Sequence, residues 1–338
     1  MDNLTHTAVG IFLSRIGPGK WSPRATAAIL IAANLPDIDT VTGLFGGGLN
    51  YLHYHRHLTH SLAAMPVMAL AAVAIVRAAG RKPVAWAGAW CAALIAVASH
   101  LALDWTNVYG IRLLLPFSER WLRLDITAVV DLWIWAVCLL GLAAPFLGRL
   151  VGSEITSGAA RGGPHGRGWA WFALAFLLIY DGARGVLHGR AVAALGSRLY
   201  QDAVPVRVVA VPDPVNPMRW RGLMETADSW AEEEISLASD PGAAHPVIFH
   251  KPEAEPAIDA ARRTPEFQEF LRFSQCPFWR VTPYAGREGA RLVEVLDLRF
   301  GSPRAPGFAV SAAVDQQLKV IETSVRFGLP RRSSSRRD

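Results

Sequence analysis

Apolar and polar positions alternate on two different length scales along this chain. In its first half, runs of Ala, Leu, Val and Trp at residues 62–76, 84–103, 129–147 and 169–180 are broken by short polar turns. The longer runs reach the ~20 residues that cross ~30 Å of hydrocarbon at ~1.5 Å per residue, which predicts four membrane helices. The fourth run is short, because Asp181 follows it. Two earlier segments, residues 4–16 and 25–35, are about half a bilayer long by the same rise. Split by Gly17-Pro18-Gly19, they predict a re-entrant or interfacial hairpin.

From Gly189 onward charge rises, prolines punctuate the chain and short alternating segments replace the long apolar ones. Residues 204–211, 219–225 and 233–237 read as strands, and 280–284 with 291–298 as a hairpin around Gly286 and Gly289. Residues 264–273 predict a helix with Thr264 as N-cap and Pro265 at the first helical position. The predicted fold is mainly α: a polytopic membrane helical bundle of about four spans plus an N-terminal short helical hairpin, then a C-terminal α+β domain. The expected limits are residues 1–188 for the membrane domain, 189–330 for the extramembrane domain and 331–338 for a disordered basic tail. Residues 152–168, rich in Gly, Ser and Arg, predict a flexible loop.

Composition sharpens this picture in three places. Trp86, Trp105, Trp133, Trp169 and Trp171 lie near segment ends, where an amphipathic ring prefers the headgroup layer. Cys91, Cys138 and Cys276 form no disulfide framework, since two lie in apolar runs and the third is alone. The first segment carries Asp2 and His6 where a signal peptide would carry basic residues, so it is expected to be retained.

The net charge of +6 matters by position rather than as a total. Arg15, Lys20, Arg24, Arg77, Arg81, Lys82, Arg149, Arg161 and Arg167 fall at one set of turns. The opposite turns offer Arg56, Arg112, Arg120 and Arg123. The positive-inside rule then puts the second set, and the C-terminal domain with it, outside the cytoplasm, although the basic tail pulls the other way. No stretch interleaves aromatics with basic residues, so no nucleic-acid partner is expected.

On the less basic side every turn carries metal-ligand chemistry. His55, His57 and His60 bring three imidazoles within six residues to the mouth of an apolar run, and imidazole is the commonest ligand for zinc-like ions. His100 and Asp104, at i and i+4, project from one helical face. A carboxylate there costs several kcal/mol unless it is paired or ligating. Asp37 and Asp39 follow Pro36, which stops the preceding helix; an extended stretch would point them to opposite faces unless a turn twists them together. His6 opens the first segment, while Asp125 and Asp131 flank the start of the third run. The plain alternatives are interface histidines, a His/Asp hydrogen bond, a solvated helix end and salt bridges to Arg120, Arg123 or Arg184.

Taken together, Asn3-Leu4-Thr5-His6, Leu35-Pro36-Asp37-Ile38-Asp39, His55-Arg56-x-x-Thr59-His60-Ser61 and Ser99-His100-x-x-x-Asp104 resemble the LexA-binding, inner-membrane-associated metal-dependent hydrolase family (YdjM-like). The resemblance covers roughly residues 1–145. His57 departs from it, standing where members often have Gly. What it implies is an α-helical membrane protein of the bacterial inner membrane with metal-dependent hydrolase activity. The His-x-x-x-Asp element is also similar in ligand type to helical zinc-dependent phospholipases C, which points toward phosphate esters of lipids.

The expectation is a membrane-embedded hydrolase in which His6, Asp37, His55, His60, His100 and Asp104 hold a divalent metal, zinc by its imidazole content. Asp39 or Asp131 would act as base or orienter, and Arg56, Thr59, Ser61 and Asp125 would support the ligands. Membrane lipids and a lipid-linked phosphoester are the expected partners. The alternative is a non-enzymatic scaffold with a structural metal, binding a protein through its C-terminal domain. A proton conduit through Asp131 and Asp181 is weaker, since those acids cluster at one end.

Overall fold

The computed structural model describes residues 1–45, 47–80, 83–155, 166–239 and 246–327. The expected basic tail at 331–338 and residues 156–165 of the expected loop lie outside the described residues.

Seven helices form the N-terminal part among the described residues: α1 (Asn3–Ile16), α2 (Ala25–Ala32), α3 (Gly47–Tyr54), α4 (Met65–Ala78), α5 (Trp86–Thr106), α6 (Leu132–Ile155) and α7 (Arg167–Gly196). Asp2 starts α1 by accepting from the backbone N–H groups of Leu4 and Thr5, both at 3.1 Å. Small residues set the centre of the bundle. Ala89, Ala92, Ala93 and Ala96 of α5 are fully buried against Ala25, Ala28, Ile29 and Ala32 of α2, a spacing that brings two backbones close. At Gly88 a Cβ would sit 2.1 Å from the Trp21 carbonyl oxygen, so only glycine allows that approach.

By length and composition α5 and α7 are long and apolar enough to cross a membrane. Two bent pairs raise the number of candidate spans to four: Ala25–Ala32 with Leu35–Phe45, bent by 43°, and Gly48–His60 with Met65–Ala78, bent by 90°. The fourth apolar run, 169–180, whose span is expected to carry Asp181 and His188 and to end with the membrane domain at 188, belongs to a helix that continues to Gly196. The sheet beneath it is the physical reason. Ala191 and Leu195 bury themselves against Ala210, Trp220 and Met224, so protein rather than lipid supports the last turns.

The C-terminal part is built of antiparallel sheets. Strands β1 (Arg207–Pro212), β2 (Arg219–Glu225), β3 (Ser229–Ser236) and β4 (Val247–His250) form one sheet in that order. Helices α8 (Pro256–Arg262) and α9 (Pro265–Phe273) follow, and then β5 (Pro277–Pro283), β6 (Arg291–Asp297), a two-stranded ribbon β7 (Gly301–Ser302) and β8 (Ala305–Pro306), β9 (Ala309–Val314) and β10 (Val320–Arg326). The second sheet runs β10-β9-β6-β5. Phe267, Phe270 and Phe273 of α9 pack on its Val293, Val295 and Val310. Pro265 sits in the first turn of α9, but the Thr264 hydroxyl donates back to the Ala261 carbonyl (2.8 Å) and makes no side-chain cap bond.

This domain is seated on the ends of the helices. Tyr109, just past α5, shares a buried cluster with Leu52 of α3 and the three phenylalanines of α9. His53 Nδ1 lies 2.7 Å from Glu269 of α9. Arg299, ion-paired to Asp297 at 2.7 Å with both side chains fully buried, donates to the Val108 carbonyl at 2.8 Å.

Candidate metal centre

Four elements end at one point beneath that domain. Pro36 ends α2, and the chain tightens into a 3-10 helix, Leu35–Phe45, instead of the extended stretch considered above. The tight winding is what carries Asp37 and Asp39 inward together; they are 7% and 8% exposed. His55 follows α3, His60 closes a 3-10 turn at Leu58–His60, and α5 delivers His100 and Asp104 one turn apart. His60, His100 and Asp104 have no exposed surface.

The donor atoms face one another. His60 Nε2 lies 3.3 Å from Asp37 Oδ1, 3.4 Å from Asp104 Oδ2 and 3.2 Å from His100 Nε2. His100 Nε2 is 3.3 Å from Asp104 Oδ2 and 3.7 Å from Asp37 Oδ1. Bonds of ~2.0–2.1 Å meeting tetrahedrally place neighbouring ligands ~3.3–3.4 Å apart. The observed spacings fit a divalent cation, and Asp104 Oδ2 is buried without a hydrogen-bond partner. These four residues therefore form a buried cluster that could hold a metal ion, and Asp37, Asp39 and His55 form a second such group that shares Asp37.

Surrounding bonds fix which atoms face inward. His100 Nδ1 donates to the Ala33 carbonyl at 2.8 Å, leaving Nε2 with its lone pair. His60 Nδ1 sits 3.1 Å from Asp39 Oδ2, an oxygen that also accepts from Arg56 N (2.9 Å) and the Thr59 hydroxyl (2.7 Å). Asp39 Oδ1 lies 2.9 Å from His55 Nδ1. Arg56 Nη2, 2.8 Å from Asp104 Oδ1, and the Met1 amino nitrogen hold that oxygen away from the cluster, so Oδ2 faces in.

His6, expected as a ligand, lies beside the cluster but in neither ligand group: it stacks on His100 with centroids 3.8 Å apart, and its Nε2 is 3.6 Å from Asp104 Oδ1, the oxygen turned away. Both its ring nitrogens are buried and unbonded. Ser61 is close in sequence only: its hydroxyl bonds the Leu58 carbonyl and accepts from Ala64 N, which shapes the turn into α4. His57 turns away, half-buried and stacked on His53.

Asp131 and Asp125 are not in either ligand group. Asp131 Oδ1 accepts from Trp133 N at 3.1 Å and Ile134 N at 3.4 Å, the bonding of an N-cap, and takes the Tyr180 hydroxyl at 3.1 Å. Those bonds give Asp131 the part of a helix cap, outside both ligand groups. Asp125 pairs with Arg123 in the loop before α6. Burial pushes its carboxyl above the usual range against the pull of Arg123. Asp39 does belong to the cluster, but a carboxylate that already accepts this many bonds is a poor proton acceptor, and its geometry is that of an orienting group.

Asn107 and Tyr109 escaped the reading of the sequence. Asn107, fully buried, accepts from Tyr109 N (2.9 Å) and Arg56 Nη1 (3.3 Å). The Tyr109 ring lies edge-on to His55 at 5.5 Å and beneath the Arg56 guanidinium at 4.7 Å, closing the centre toward the C-terminal domain. The available signal was position: Asn107 is the residue that ends α5, one turn beyond Asp104.

The family model of the YdjM inner membrane protein matches residues 1–191, and that of the YfhP C-terminal alpha/beta plait domain matches residues 256–328. The chain is similar to the uncharacterized protein YfhP of Bacillus subtilis (strain 168), with 26% identity over 316 residues that cover 89% of this chain and 88% of that relative. No solved structure matches.

Proposed function

Because this chain belongs to the YdjM inner membrane protein family and buries a His/Asp cluster that could hold a metal, we propose that it is a membrane-embedded metal-dependent hydrolase. The observation that carries the reading is the convergence of four donor atoms at ligand-to-ligand spacings, with lone pairs directed inward. Two imidazoles with two carboxylates favour zinc. A zinc ion held by Asp37, His60, His100 and Asp104 would supply a Lewis acid for a substrate oxygen, and an open position on the metal would be needed to activate water.

The chain's own groups do the rest. Asp39 aims His60 and His55, Arg56 selects the inward oxygen of Asp104, and the Ala33 carbonyl sets the tautomer of His100. Tyr109 and the phenylalanines behind it exclude water from above. A site so enclosed, at the ends of membrane helices, favours an amphipathic substrate that arrives by lateral diffusion. The substrate class we assign is a phosphoester of a lipid or lipid-linked molecule.

We read four crossings, α4 to α7, with α1 and α2 as a re-entrant hairpin. We read the centre and the C-terminal domain as lying outside the cytoplasm, a reading supported by the basic residues Arg15, Lys20, Arg24 and Arg77 at the opposite ends of the helices. A reporter fused after residue 338 tests the side of the C-terminal domain.

The test of activity is hydrolysis of a lipid phosphodiester by the detergent-purified chain, stripped of metal and reloaded with Zn2+. His60→Ala and Asp104→Ala should lose the ion held by His60, His100 and Asp104, and with it turnover, while the protein still inserts. Full zinc occupancy in either variant would remove the ligand assignment. One observation favours a second reading: four protein ligands complete a tetrahedron, the pattern of structural zinc. In that case the metal braces the bundle and the C-terminal domain docks a partner protein, and a loaded, stable chain shows no turnover.

A further inference from the structure

A zinc held by four protein atoms has no free position, whereas hydrolytic zinc sites keep one for water or substrate. The unused donors around the centre lie together. Asp37 turns Oδ1 toward His60 and His100, and its Oδ2 is buried with no partner in a residue only 7% exposed. Asp37, Asp39 and His55 each offer a donor atom within 4.8 Å of the others, and all three are buried. His55 Nδ1 and Asp39 Oδ1 are 2.9 Å apart, close to the ~3.0 Å edge produced by ~2.1 Å bonds at right angles.

We propose that Asp37 bridges two divalent cations, one held by His60, His100 and Asp104 and the other by Asp39 and His55. This inference rests on the reading of the cluster as a hydrolytic metal centre, and it supplies what the four-ligand seat lacks. Three protein ligands leave the second ion open positions for water and a substrate oxygen. Its donors, one imidazole nitrogen and two carboxylate oxygens, suit a six-coordinate first-row ion better than a tetrahedral one. Without that ion, His55 and Asp39 share a proton across 2.9 Å; loading the ion displaces the proton. The outer oxygen of Asp39 keeps its bonds to Arg56 N, Thr59 and His60, so ligation through Oδ1 leaves the loop in place.

The full-length protein in detergent, stripped by chelator and dialysed against Mn2+ or Zn2+, should hold two ions per chain by elemental analysis. Mn2+-loaded wild type should give the exchange-coupled electron paramagnetic resonance spectrum of a close pair. His55→Ala should hold one ion per chain and show the isolated six-line spectrum, with its helical circular dichroism retained. One ion per chain in the wild type, or an unchanged stoichiometry in His55→Ala, would overturn the proposal. Should His55→Ala fail to fold, the wild-type stoichiometry and coupled spectrum decide alone. Two ions without phosphodiester turnover would sink the hydrolase reading and leave the pair standing; turnover with one ion would do the reverse.

Discussion

His60 and His100 present their Nε2 atoms to each other at 3.2 Å. The Nδ1 atom of His100 is committed to a backbone carbonyl and that of His60 to Asp39. Between them and around them lie oxygens of Asp37 and Asp104 at 3.3–3.7 Å, so the two rings share one buried polar contact. A cation entering there would exchange that contact for two bonds to nitrogen, with the flanking carboxylates attracting the same charge.

Metal should therefore stabilise the fold. At free Zn2+ about 1,000-fold above its dissociation constant, mass action contributes ~4 kcal/mol. Thermal melting of the chelator-stripped protein, repeated with Zn2+, should show a clear rise in Tm. The rise should vanish in His100→Ala.

Asp39→Asn tests the orienting role. The amide keeps the size of the side chain but loses the charge that holds His60 Nδ1 and His55 Nδ1. Loss of such a partner costs ~10–100-fold in metal affinity. Competition with a fluorescent zinc chelator should show a drop of that order, while the circular dichroism spectrum stays unchanged.

Asp131→Ala separates capping from chemistry. Removing an N-cap costs ~1 kcal/mol, and the Tyr180 bond goes with it. Stability should fall by about that amount in thermal unfolding, and zinc per chain should match the wild type. A variant that loses zinc would return Asp131 to the centre.

These cases show what the sequence could and could not convey. His100 and Asp104 were legible because an i, i+4 pair on an apolar helix must share a face. The joint inward turn of Asp37 and Asp39 was not, because a 3-10 helix after Pro36 depends on what packs around it. For Asp131 position alone does not separate the roles, because a cap and a base occupy the same place in sequence, at the mouth of an apolar helix. In the C-terminal domain β2 was legible from end to end. Strand β9, with the sequence AVSAAV, lacks the polar alternation of a half-exposed strand because it lies inside the second sheet and is buried nearly throughout. The continuation of α7 past residue 188 was hidden for a similar reason, since its support is a sheet formed by later residues.

The pair Asp297 and Arg299 predicts a pH dependence for the C-terminal domain. Burial opposes the charge on Asp297, but the Arg299 guanidinium and two backbone N–H groups outweigh it and hold the carboxyl below the usual range. A carboxyl lowered by folding contributes stability that is complete above the unfolded value of ~3.9 and is lost as pH falls through the folded one. Asp297→Asn leaves Arg299 buried and unpaired, a change that costs ~3–5 kcal/mol near neutrality. In denaturant unfolding followed by tryptophan fluorescence, the gap between the wild type and this variant should narrow only below about pH 4. A gap that stays constant down to pH 2 would be at odds with the pairing.

Metal content per chain decides between a metal centre and a polar knot of histidines and aspartates. Inductively coupled plasma mass spectrometry of the detergent-purified wild type, His60→Ala and Asp104→Ala should find zinc in the first and at least one ion fewer per chain in the other two, with all three recovered from the membrane fraction. A wild type free of divalent metal after reloading, or variants that keep their full complement, would contradict the assignment.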